Sequence, residues 1–189
     1  MRTLILMASV AFFAVAPAAP VPIEITAPEL IVNGSFEEGP DVEVYLPLDE
    51  KSTAIKGWTV TRGQIDYLGT HWKHADGKRS LDLHGSPGFG GVKQTIKTEK
   101  GKTYRMTFMM AGNPGVATKL MTLEAFAGKA SKKFEFDCTG KTIEDMGWVK
   151  QTWDFKADGD ETVIEIATAM KTEEFAGPAL DAVSVKLVK

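Results

Sequence analysis

Between Asp66 and Ser80 the chain reads DYLGTHWKHADGKRS, which brings an aromatic pair, two histidines and three basic residues close together. Sugars present apolar C–H faces and a rim of hydroxyls, so proteins hold them with an aromatic platform flanked by polar donors. Tyr67, His71, Trp72, Lys73 and His74 supply that combination, with Trp72 as the expected platform. For a uronic-acid polymer such as pectin, Lys73, Lys78 and Arg79 would add positive charge. The plainer alternative makes Trp72 a core plug beneath a loop. His71, His74 and Asp76 also have ligand-like spacing for zinc. A catalytic zinc needs a third protein ligand, however, and His84, the remaining histidine, falls on a different expected strand.

Other candidate chemistry fails on context. The glycines of GSPGFGG, Gly85 to Gly91, precede the expected strand VKQTI, whereas a phosphate-binding loop opens a helix. No Gly-x-Ser-x-Gly elbow occurs, and the carboxylate pairs Glu173/Glu174 and Asp158/Asp160 fall in expected turns. These features describe a protein that is not an enzyme. Twenty-two Lys and Arg against 25 Asp and Glu give a net charge of −3, which argues against a nucleic-acid partner. Cys138 is the single cysteine, so no internal disulfide can form; its place at a strand end suits a buried, inert thiol.

The elements that must position these residues are strands. Tyr104, Met106, Phe108 and Met110 alternate with polar neighbours, and similar runs end at Ile96 or start at Leu120, Lys132, Trp148, Thr162 and Leu180. Turn signals such as Lys100-Gly101, Gly112-Asn113-Pro114 and Asp158-Gly159-Asp160 separate them. Only residues 142–146 could make a helical turn. The pattern predicts an all-β sandwich or barrel of about ten strands. Ahead of it, Met1-Arg2, the apolar stretch from Leu4 to Ala16 and the triplet Ala16-Pro17-Ala18 read as a signal peptide over residues 1–18. A proline-rich linker over 19–29 and one domain over 30–189 complete the expected organisation, with no transmembrane segment in the mature chain. Such a protein would be secreted or extracytoplasmic, in a periplasm or at a cell surface.

Four stretches carry a resemblance: IVNGSFEEGP from Ile31, IKGWTV from Ile55, FMMAGNPG from Phe108 and GPALDAVSV from Gly177. In this order they resemble the choice-of-anchor C family of bacterial exported proteins, and also a plant cell-wall family of unknown function that associates with pectin. More distantly they are similar to jelly-roll carbohydrate-binding modules. The resemblance implies a galactose-binding-domain-like jelly-roll β-sandwich whose partner is a polysaccharide or glycan; the alternative is a structural domain that meets other cell-envelope proteins. In the related modules a structural calcium joins the two chain ends. Carried onto this sequence, its ligands would be the carboxylates of Glu37 and Asp181 and the carbonyl of Ser35.

Overall fold

The computed structural model describes residues 27–85, 88–172 and 174–188. The expected signal peptide and the linker up to residue 26 lie outside them. The described residues form eleven strands and no helix, arranged as two antiparallel sheets. Strands β1 (Tyr45–Asp49), β3 (Gln64–Leu68), β4 (Ser80–Asp82), β11 (Pro178–Leu187), β6 (Thr103–Gly112) and β9 (Val149–Lys156) make a six-stranded sheet in that spatial order. Facing it are β2 (Thr59–Arg62), β5 (Gly91–Lys97), β10 (Glu161–Thr168), β7 (Leu120–Ala127) and β8 (Ala130–Asp137). This is the expected jelly-roll sandwich.

Alternation decides which side chains enter the core. Tyr104, Met106, Phe108 and Met110 of β6 point inward and meet Ile164 and Ile166 of β10 and Met121 and Leu123 of β7 in one buried cluster. The outward residues of β6 pair across to β9, where Arg105 holds Asp154 through two hydrogen bonds. Residues 142–146 form bends, not the helical turn their composition allows. Thr142 and Asp145 exchange backbone hydrogen bonds there.

The chain ends are tied together. Leu30 N donates to Val185 O, and Val183 N donates to Gly34 O. At Gly34 a Cβ would lie 1.9 Å from the Val183 carbonyl oxygen, so the approach of the first segment to β11 needs glycine. Gln94, buried on β5, accepts from Val32 N and donates to Val32 O and Gly57 O. Opposite Gly34, a register shift between Asp181 and Ser184 bulges β11 and carries Ala182 at a φ of 48°.

Candidate functional site

The outer face of the six-stranded sheet carries an open groove of about 540 Å³. Its floor is made by β3 and β4, where alternation sends Ile65, Tyr67, Leu81 and Leu83 to the core and leaves Gln64, Asp66 and Asp82 facing out. Asp66 and Asp82 are direct cross-strand partners. Tyr45 of the edge strand β1 stands on one side, 53% exposed, with its ring edge-on to His71 at 6.3 Å. On the other side the strap before β11 presents Phe175, 68% exposed, and the loop after β6 presents Asn113 and Val116. Glu174 ties that strap to the loop by accepting from Ala117 N and Thr118 N.

Burial sets the electrostatics of the floor. Asp82 is 2% exposed, and desolvation pushes its carboxyl up to about 7 although Asn113, His84 N and Gly177 N all donate to it. Asp66 has its carboxyl pushed up to about 6, again by burial, and its charge also raises that of Asp82. Like charges directly opposite one another on a sheet repel. Gln64 turns partly away, donating to Asp49 Oδ1 at 2.7 Å.

Of the expected sugar contacts, only His71 lines this groove. Tyr67 is fully buried in the core with its hydroxyl donating to Phe36 O. Trp72, expected as the platform, is 4% exposed and donates from Nε1 to Ser80 Oγ; no ring face is left for stacking, and the plainer reading as a plug holds. His74, half buried, meets Ser80 Oγ and Gly69 O, and burial lowers its pKa. Lys73 is exposed beside a neighbouring shallow depression, which it lines with Ile143, Glu144, the rim of Trp72 and His71, the last shared with the groove. Trp148 donates to Lys73 O and so braces the same loop. The residues missed were Tyr45, Asp66, Asp82, Asn113 and Phe175. The available signal was alternation: QIDYL and SLDLH each place an acid between core apolar residues.

Glu37 and Asp181, expected at a calcium, close on the same loop from opposite chain ends. Glu37 Oε1 accepts from Lys78 N and Arg79 N. Asp181, fully buried, accepts from Ala75 N and Asp76 N at Oδ2 and from Ala182 N at Oδ1. Burial pushes the Asp181 carboxyl up to about 7. Among the described residues no group of three or more His, Cys, Asp or Glu side chains is placed to hold a metal ion, including the His71, His74 and Asp76 set. Of Ser35, Glu37 and Asp181, the two carboxylates thus reach neighbouring positions of one loop, each engaged by backbone amides.

The family described as protein of unknown function (DUF642) matches residues 29–186. Halomucin of Haloquadratum walsbyi is 30% identical over 84% of this chain, which spans 2% of that protein. Protein TEEBE of Arabidopsis thaliana is 28% identical over 89% of the chain, which spans 49% of it. Among solved structures, TmCBM61 in complex with β-1,4-galactotriose aligns over 86% of this chain and its own full length, with a TM-score of 0.53 at 12% identity. An arabinose-bound α-L-arabinofuranosidase aligns over 86% of this chain and 27% of its own, with a TM-score of 0.54 at 11% identity. At such identities the likeness speaks to the fold, a jelly roll shared with carbohydrate-binding modules.

Proposed function

The chain belongs to the DUF642 family, and from that premise we propose an extracytoplasmic, non-catalytic module that binds a polysaccharide in the groove on the six-stranded sheet. The observation that carries this reading is the pair of exposed rings, Tyr45 and Phe175, flanking a floor of Asp66, Asp82 and Asn113. Rings supply stacking surfaces for the C–H faces of a sugar, and carboxylates and amides accept and donate to its hydroxyls. The fold shared with modules solved alongside sugars supports it. Asp66 and Asp82 together resemble an acid pair, yet a glycosidase needs its two carboxyls flanking the scissile bond. Asp82 is buried and engaged by three donors, which suits a fixed floor better than a proton donor in motion.

Titration calorimetry against neutral plant and bacterial polysaccharides tests the proposal. Tyr45→Ala and Phe175→Ala should each weaken binding by about 1–3 kcal/mol with the melting temperature retained. Binding that is absent throughout, or untouched by both substitutions, would refute the groove and favour a domain that meets other envelope proteins.

The calcium site is kept as a proposal for Glu37, Asp181 and the Ser35 carbonyl. A hard cation bound there would favour the ionised form of Asp181 and add a tie between the chain ends.

A further inference from the structure

Resting on the glycan reading of the same groove, we infer that it selects neutral polysaccharides and turns away uronate-bearing ones. The floor holds two aspartates in direct cross-strand register, and the described residues that line the groove include no lysine or arginine.

The basic residues that would serve an acidic polymer lie outside the described lining of the groove. Arg79 lies over the Tyr67 ring and pairs with Asp41 at 3.6 Å. Lys73 borders the neighbouring depression, where Glu144 accompanies it. Lys119 sits behind the groove wall and donates to the carbonyls of Pro114 and Val116. Glu174, also behind that wall, adds a further negative group. A uronate carboxylate entering between Tyr45 and Phe175 therefore meets like charge below and no lysine or arginine among the described lining residues. Its own hydration would be lost without compensation. Neutral hydroxyls meet Asp66 as an acceptor, while Asp82 is held beneath by its own three donors.

Selectivity of this origin depends on pH. Burial raises both floor carboxyls, to about 6 and about 7, so both are ionised in mildly alkaline buffer and protonated in acid. Acidification should therefore relieve the repulsion.

Affinity electrophoresis or calorimetry with β-1,4-galactan and xylan as neutral probes and polygalacturonate as the acidic one decides the matter. At about pH 8 a neutral probe should bind at least about ten-fold more tightly than polygalacturonate. The gap should narrow near pH 5, where polygalacturonate remains charged, and should narrow at pH 8 in Asp66→Asn. Polygalacturonate binding as well as or better than the neutral probes would overturn the selectivity and leave the glycan reading standing. A gap that ignores both pH and Asp66→Asn would overturn the electrostatic cause. Binding of neither class, to a protein that melts cooperatively, would remove the glycan reading itself and this inference with it.

Discussion

Replacing Asp82 by asparagine should stabilise the protein in alkaline buffer and destabilise it in acid, so that the two stability profiles cross. Asp82 is 2% exposed, and burial moves its carboxyl from 3.8 to about 7. Between those values the folded state holds more protons than the unfolded one. Stability from this group is therefore complete below about pH 4 and is lost as pH rises through about 7. Over the whole window the loss is on the order of 4 kcal/mol. Asparagine has no charge to desolvate, and its oxygen can still accept from His84 N and Gly177 N, as Asp82 Oδ1 does. Its amide, however, faces the Asn113 amide that donates to Asp82 Oδ2, and that mismatch costs about 1–3 kcal/mol at any pH. The variant should thus be less stable by about 1–3 kcal/mol near pH 3 and more stable by a similar amount near pH 9. Urea unfolding followed by tryptophan fluorescence at four pH values measures both. The raised carboxyls of Asp66 and Asp181 are common to both proteins and largely cancel in the difference. Profiles that stay parallel from acid to alkali would refute the reasoning, because a buried ion that costs nothing cannot be relieved.

Trp72→Ala should lower stability by about 3–5 kcal/mol and change ligand affinity little in the fraction that folds, since the ring is packed and bonded to Ser80; an unaffected melting temperature would contradict this. Gly34→Ala should cost at least about 2 kcal/mol through its collision with the Val183 carbonyl, and thermal melting equal to wild type would show that the ends can part freely. Added calcium should raise the melting temperature of chelated protein, and Asp181→Asn should remove most of the rise. No response to chelator or calcium would leave Glu37 and Asp181 with their amide partners alone. Galactan, xylan and pectin should emerge unhydrolysed from long incubations; reducing ends that accumulate and vanish with Asp66→Asn would make the pair catalytic.

The long strands were legible because one face of each is buried. LMTLEAF and TVIEIAT alternate over enough residues to declare themselves, and they form β7 and β10. The strands that build the groove are shorter. β4 has three residues, all of them buried although Asp82 lies at the bottom of the groove, and this erases the contrast that alternation needs. β1 contains Pro47, which argues against a strand until the sheet edge is known. Trp72 and Tyr67 misled for a related reason. Clustered aromatics and bases read the same in sequence whether a loop displays them or folds them under itself, and the Ser80 and Phe36 partners that decide the matter lie 8 and 31 residues away. That the two chain ends carrying Glu37 and Asp181 run together was readable in outline, although the segment beside β11 precedes β1, and β1 itself is not a neighbour of β11. Their use of one intervening loop was not.

Pro47 also bears on what can approach the groove from its open side. β1 ends the six-stranded sheet, and an edge strand ordinarily offers a ladder of N–H and C=O groups to any extended chain. Proline interrupts that ladder in its middle, directly across from Asp66. Strand addition by a second protein molecule, which would wall in Tyr45, is disfavoured there. Under the proposed function, an edge kept from pairing in this way would let a long chain run across it instead of having to end within the groove.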